Sequence, residues 1–344
     1  MPSSTDALEL HRSLLVIDGH CDSACDLVAS RASDPGAAPR DFLSRGAGAS
    51  AGGGQVDLPR LREGGVTCQF MAMFVDDGYL AGARDRTDRL LEALEAVFAR
   101  TGDFRLALAG RDILRAKAEG ATSALLTIEG GEAIGEDLDA LRAYYARGVR
   151  LMGLTWNRRN ALGRGAGTGD PAVDGTGGLT DFGRRVVAEM ERLGMIVDAS
   201  HLSDEALDDL LAMARRPVVA SHSNSRALCP HRRNLTDAQA QRIAATGGLV
   251  AATFAGLFVD EAPAKVGLGR FLDHVDRLVA VAGAEHVGIG SDFDGFPESY
   301  GVVLKDCSRM PDLTAGLLER GHAPDTVAKI MGGNWLRVIR EIIG

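Results

Sequence analysis

Three imidazoles and two carboxylates stand in short strings whose spacing suits metal binding. They are His20 and Asp22 in Asp18-Gly19-His20-Cys21-Asp22, Glu129 directly after Leu125–Ile128, His201 in Asp198-Ala199-Ser200-His201, and His222 in Ser221-His222. Residues two apart in extended chain point the same way, so His20 and Asp22 share a face while Cys21 turns away into packing. Imidazole nitrogen with carboxylate oxygen is a donor set that suits Zn²⁺, and positions left open to water make such a site catalytic. A single histidine at a strand end usually has a plainer role as a hydrogen-bonded rim residue. Here three of the eight histidines hold such places together, whereas His11, His231, His274, His286 and His322 do not and read as surface or packing residues.

A carboxylate with two oxygens can span two cations held roughly 3.5–4 Å apart, a spacing at which a shared water loses its proton easily and a carbonyl is polarised. Glu129 is the candidate bridge. The lysines, Lys117, Lys265, Lys305 and Lys329, follow no predicted strand, which argues against a bridge made from a modified lysine. Asp292, in Ser291-Asp292-Phe293-Asp294, is placed to take a proton from water and pass it to a leaving nitrogen. Asp294 reads as a loop-structuring carboxylate. Arg232 and Arg233 lie downstream of His222, where a guanidinium could clamp a substrate carboxylate with two parallel hydrogen bonds.

These residues need a frame that aims them at one point. Each follows a short apolar run, and the runs alternate with amphipathic stretches of helical length, the pattern of a parallel sheet with crossover helices. The runs are Leu14–Ile17, Val66–Met73, Ala124–Ile128, Leu151–Thr155, Met195–Val197, Val218–Ala220, Leu249–Thr253 and Val287–Ile289. Eight such strands close a (β/α)₈ TIM-type barrel, whose loops after the strands share one face and carry the chemistry. Closing it sets the last strand, before Asp292, beside the first, before His20. Helices are expected at Asp85–Ala99, Asp181–Leu193, Ser203–Ala214, Thr236–Ala245 and Gly269–Val281, and Ser203 and Thr236 each precede acidic residues as helix starts do. Gly332–Ile342 reads as a terminal helix packed on the barrel. Gly46–Gly54 and Gly163–Gly169 read as loops; the second lacks the Lys-Ser/Thr ending of a phosphate cradle. One domain over 1–344 is expected, since no linker or internal repeat divides the chain.

Length and composition agree with that frame. The 344 residues are 45% hydrophobic and 25% charged, enough to build one large core under a polar exterior. A net charge of −9 repels phosphate backbones and anionic lipid, so neither nucleic acid nor membrane is an expected partner. The start of the chain is too acidic, and its apolar run too short, for a signal peptide. The five cysteines, Cys21, Cys25, Cys68, Cys229 and Cys307, lack CxxC spacing and cannot all pair, which fits reduced thiols in a cytoplasmic protein.

With these residues in view, the chain resembles the renal (membrane) dipeptidase family of zinc peptidases, as its bacterial members. The shared strings are DGHCD at 18–22, QVDLPRLREGGV at 55–66, IEGG at 128–131, GLTDFG at 178–183, EMERLGMIVDASHLS at 189–203, SHSNSRALCPHRRNLTD at 221–237 and GIGSDFDG at 288–295. The resemblance implies a dipeptidase with two Zn²⁺ per chain. It places His20 and Asp22 on one ion, His201 and His222 on the other, and Glu129 between them. Arg233 would hold the dipeptide carboxylate and Asp292 would move the proton. It further implies tolerance of a D-residue at the second position, β-lactam opening, and a homodimer. One departure stands out: where the family carries a substrate-contacting histidine after the fourth strand, this chain reads Leu154-Thr155-Trp156-Asn157, so oxyanion contact falls to Asn157 or is lost, and Trp156 alters the substrate range. Two alternatives compete with this reading: another binuclear amidohydrolase acting on lactones or cyclic amides, and a non-catalytic protein that keeps only the metal cage.

Overall fold

The computed structural model describes residues 4–28, 38–46, 54–170 and 174–344; most of the Gly46–Gly54 loop lies outside these. The strands are β1 (Ile17–Asp18), β2 (Cys68–Phe74), β3 (Phe104–Leu106), β4 (Thr122–Glu129), β5 (Val149–Gly153), β6 (Ile196–Asp198), β7 (Val218–Ala220), β8 (Leu249–Ala252) and β9 (Val287–Ile289). All pair in parallel, and β1 joins both β2 and β9, so eight of them close a barrel ringed by helices. The protein is a (β/α)₈ barrel. The remaining strand, β3, flanks the first half of β4, while β5 pairs with the second half. Sequence reading missed β3, because the apolar-polar-apolar Phe104-Arg105-Leu106 is too short a run for alternation to mark a strand.

The expected runs fall within a few residues of seven of the barrel strands, and Val218–Ala220 and Val287–Ile289 coincide with β7 and β9. The first is displaced: Leu14 and Leu15 end a turn after the helix Ser4–Ser13, and the ladder begins at Ile17. Helix ends follow their caps. The Ser203 hydroxyl accepts from Ala206 N–H at 3.1 Å ahead of the helix Asp204–Met213. Thr236 and Gln239 form a reciprocal box at the start of Asp237–Ala245, satisfying donors that the first turn leaves unpaired.

The strands are buried on both sides, as parallel strands under helices must be. One set of side chains, including Met71, Leu126, Met152 and Val197, packs outward against the helices. A second gathers Ile17, Phe70, Leu125, Leu151, Ile196, Val219 and Leu249 around Trp335 and Ile339 of the terminal helix Asn334–Ile342. Arg337 of that helix donates to the carbonyls of Gly247 and Glu285, which precede β8 and β9, so the helix closes the barrel end where strands begin. The Trp335 indole reaches up the interior to Phe70, with ring centroids 4.7 Å apart, and its N–H donates to Ile289 O at 3.0 Å. A Cβ on Gly19 would sit 2.2 Å from the indole, so the residue between Asp18 and His20 must be glycine. The plug thus forms a floor directly beneath the first candidate ligand.

Candidate active site

The loops after five barrel strands bring the candidate residues to the opposite mouth. His20 and Asp22 follow β1, Glu129 ends β4, His201 follows β6, His222 follows β7, and Asp292 follows β9. Asp22 N–H donates to Phe293 O at 2.9 Å and Asp292 N–H to His20 O at 3.1 Å, which sets the first and last loops side by side. Ala166 N–H donates to His201 O at 2.7 Å, so the glycine-rich Gly163–Gly169 segment straps the His201 backbone.

Glu129 lies at the centre. Its Oε2 is 3.5 Å from His20 Nε2, and its Oε1 is 2.8 Å from His201 Nε2 and 3.6 Å from His222 Nε2. His20 Nε2 is also 3.8 Å from Asp22 Oδ2 and 3.8 Å from Asp292 Oδ1. Two overlapping groups, His20 with Glu129 and His222, and His20 with Asp22 and Asp292, each keep one donor atom per residue within 4.8 Å of the others. All are buried.

The electrostatics fit a divalent cation. Burial drives His201 down to about 3 and His222 well below the usual imidazole range, with the Arg233 charge adding to both, so both rings are neutral and offer lone pairs. Their Nε2 atoms approach to 2.8 Å, and His20 Nε2 is buried with no hydrogen-bond partner. Lone pairs turned on one another and an orphaned ring nitrogen are what a cation would satisfy. Burial opposes charge on Glu129, but His20, His201 and His222 outweigh it and hold the carboxyl well below its usual range. On His20, burial is outweighed by Glu129 and Asp22, which raise the ring well above its usual value. Burial lifts Asp292 well above the usual carboxylate range, against the pull of His20 and with the push of Asp22 and Glu129. Asp292 and His201 both have positive φ, 64° and 68°, a strained conformation for a side-chain-bearing residue that a surrounding scaffold must enforce.

A cavity of about 860 Å³ opens above Glu129, His201 and Asp292. Arg233 lines it, buried, with its guanidinium over the Phe258 ring at 5.3 Å; Nη2 donates to His222 O at 3.2 Å and Nε has no partner. Burial lowers Arg233 to about 10, against Asp292, Glu129 and Asp198, so it stays charged at neutral pH. Arg232 is exposed at the same mouth. Trp156 lines the wall against Phe74 at 5.3 Å, with the Arg158 guanidinium 5.0 Å over its ring. Asn157 also lines the cavity, and its Oδ1 lies 2.8 Å from His201 Nδ1. Asp294, by contrast, accepts from Ser23 Oγ at 2.5 Å and Gln55 N–H at 2.6 Å, tying loops as a structural carboxylate. Cys21 is fully buried with Sγ 3.6 Å from Met71 Sδ.

Four buried residues next to these carried no role in the sequence reading: Asp18, Asp198, Ser221 and Ser291. Asp18 takes the Ser291 N–H at 2.7 Å and its hydroxyl at 2.6 Å; Asp198 takes the Ser221 N–H at 2.8 Å and its hydroxyl at 2.5 Å. The signal was present: each aspartate ends a strand shortly before a histidine, and each serine directly precedes a site residue.

The family model described as membrane dipeptidase (Peptidase family M19) matches residues 4–343. Dipeptidase tcpJ of Claviceps purpurea (strain 20.1) is 34% identical over 300 residues, 84% of this chain and 69% of that protein. Among solved structures, the metallo peptidase dipeptidase AC superimposes with a TM-score of 0.84 at 31% identity, covering 96% of this chain and 99% of that one. A metallo peptidase of Rhodobacter sphaeroides, liganded with a phosphinate mimic of the dipeptide L-Ala-D-Ala, gives 0.84 at 30% identity over the same shares. The chain therefore belongs to the membrane dipeptidase family, peptidase family M19, and is a dipeptidase of the metallohydrolase class.

Proposed function

We propose that this chain, as one domain, hydrolyses dipeptides at a centre of two zinc ions, with His20 and Asp22 holding one, His201 and His222 the other, and Glu129 shared. The observation that carries the reading is that the two Glu129 oxygens serve different histidines, Oε2 nearest His20 and Oε1 nearest His201 and His222. When bound, such ions polarise the scissile carbonyl and lower the pKa of water. The protein's own groups do the rest. Arg233, a buried cation with an unpaired donor beside the cavity, binds the C-terminal carboxylate and fixes the peptide's direction. Asp292, whose carboxyl burial keeps ready to hold a proton, takes one at its carboxylate and delivers it to the departing amine. Trp156 and Phe74 form an apolar wall that excludes water and bears on the substrate side chain. Asn157 stands at the same wall.

A D-residue at the second position fits this arrangement, because Arg233 grips the carboxylate, which is common to both stereoisomers. The relative of Rhodobacter sphaeroides was liganded by a mimic of that stereochemistry, which supports the same reading. The test is a panel of L-Xaa-L-Xaa and L-Xaa-D-Xaa dipeptides with zinc-reconstituted protein, alongside metal analysis. Two zincs per chain with hydrolysis of both series supports the proposal. Two zincs without turnover of any dipeptide would mean a metal-binding protein instead, and turnover confined to lactones or cyclic amides would mean another amidohydrolase reaction.

A further inference from the structure

One buried carboxylate joins the end of β6 to the end of β7. Asp198, 3% exposed, accepts through Oδ1 the N–H groups of Ser200 at 3.0 Å and Ser221 at 2.8 Å. Through Oδ2 it accepts the Ser221 hydroxyl at 2.5 Å. In that bond Asp198 is the acceptor, so the single hydroxyl hydrogen of Ser221 points to Asp198. The Ser221 oxygen, now offering only lone pairs, faces His222 Nδ1 at 2.8 Å. That nitrogen must therefore carry the ring hydrogen, and Nε2 is left with its lone pair turned toward Glu129 Oε1, 3.6 Å away. The backbone is held in the same place, since His222 N–H donates to Ser200 Oγ at 3.1 Å. His201 receives the same instruction from a different group: Asn157 Oδ1 faces its Nδ1 at 2.8 Å, and its Nε2 points to Glu129.

The matching tie between β1 and β9 isolates what is special here. Asp18 holds Ser291 by the same pair of bonds, yet the Ser291 hydroxyl is next to the carbonyl oxygen of His20, at 3.0 Å, and reaches no imidazole. A carboxylate and serine that merely staple strands would need nothing more than that. The copy between β6 and β7 continues to a ring nitrogen.

We propose that Asp198 and Ser221 are positioning residues that set the tautomer of His222 and so prepare it to bind metal. The inference rests on the reading of His222 as a ligand. Asp198→Asn tests it with almost no change of shape. The amide oxygen can still accept the two backbone N–H groups, which leaves the amide nitrogen facing Ser221 as a donor. The serine hydrogen then turns to His222 Nδ1 and drives the ring to the Nε2–H tautomer, which has no lone pair for a cation. Nitrogen-15 spectra of the metal-free full chain, labelled at histidine, should show Nδ1–H at His222 in the wild type and Nε2–H in the variant. Competition with a chromophoric chelator should show zinc affinity at one of the two positions falling roughly 10–100-fold, the range typical for lost outer partners of a ligand. Should Asp198→Asn fail to fold, Ser221→Ala keeps Asp198 and both backbone bonds; it should release the tautomer to a mixture and weaken zinc in the same direction. A wild type that takes up no zinc defeats the two-metal reading and this inference with it. A zinc-binding wild type whose variants match it in tautomer and affinity overturns this inference alone.

Discussion

In the proposed mechanism Arg233 and Asp292 divide the work at the reacting bond, and their surroundings set each apart from its near neighbour. Arg233 is buried against Phe258 while Arg232, one residue earlier, is exposed, so only the former is desolvated enough to make a strong contact with a carboxylate. Replacing it by alanine should lower kcat/KM for dipeptides by about 10²–10³-fold, in line with the cost of removing one partner of a buried charge pair. Turnover of an ester substrate lacking the carboxylate should change far less, and equal losses on both would show that Arg233 does not grip the substrate. Asp292→Asn preserves shape but cannot take up a proton. Its kcat should fall by about 10²–10⁴-fold with zinc content unchanged by elemental analysis. A loss of metal with the loss of rate would instead mark Asp292 as a ligand, consistent with its place 3.8 Å from His20.

Strand ends and the helices outside them decide whether those groups meet. Gly290 links β9 to Ser291, and a Cβ there would lie 1.7 Å from the Ser221 carbonyl oxygen, a backbone atom that cannot swing aside. Gly290→Ala should therefore push apart the exits of β7 and β9, costing about 1–3 kcal/mol or more in urea unfolding, and should weaken zinc binding as well. Wild-type stability would refute the close approach. Outside the barrel, Glu189 ties the helix Asp181–Leu193 to Leu138–Ala146 by accepting from Arg142 at 2.6 Å, and it also accepts from Arg192 of its own helix at 2.7 Å. Those bonds lower its carboxyl from 4.5 to about 2. A carboxylate depressed in the folded state stabilises above its unfolded pKa, and that contribution fades as pH falls through the folded value. Glu189→Gln should thus melt below wild type at pH 6, with the gap narrowing from about 4.5 downward and closing near 2. A gap independent of pH would assign the effect to packing.

The whole molecule is a cylinder with chemistry at one end and a plug at the other, and the two ends are in contact through Trp335. Its indole fills the interior against Phe70 and lies under Gly19. Trp335→Ala should cost about 3–5 kcal/mol, as removal of a buried aromatic ring does. Because the void opens below His20, zinc affinity should drop too; a variant that loses stability but binds zinc as tightly as wild type would separate the floor from the site. Among the described residues no helix is long and apolar enough to cross a membrane.

Much of this was legible from the chain. Parallel strands buried on both faces must be nearly continuous apolar runs, so β7 and β9 could be read to the residue, and polar groups directly after such runs must lie at one mouth. Alternation made His20 and Asp22 partners, and turned Cys21 away. The site's fine geometry was not legible, for reasons that lie in contacts between segments distant in sequence. His201 and Asp292 have positive φ and each bonds to a segment distant in sequence, His201 O to Ala166 N–H and Asp292 N–H to His20 O. Strand β3 is marked out by its pairing with β4, a contact that three residues, Phe104-Arg105-Leu106, cannot announce on their own. The hydrogen on His222 is assigned by a serine next to it and an aspartate at the end of another strand. Local periodicity reports which face of an element is buried; it carries no record of what waits on the other side, and that is where ring tautomers, strained loops and the unequal burial of Arg232 and Arg233 are settled.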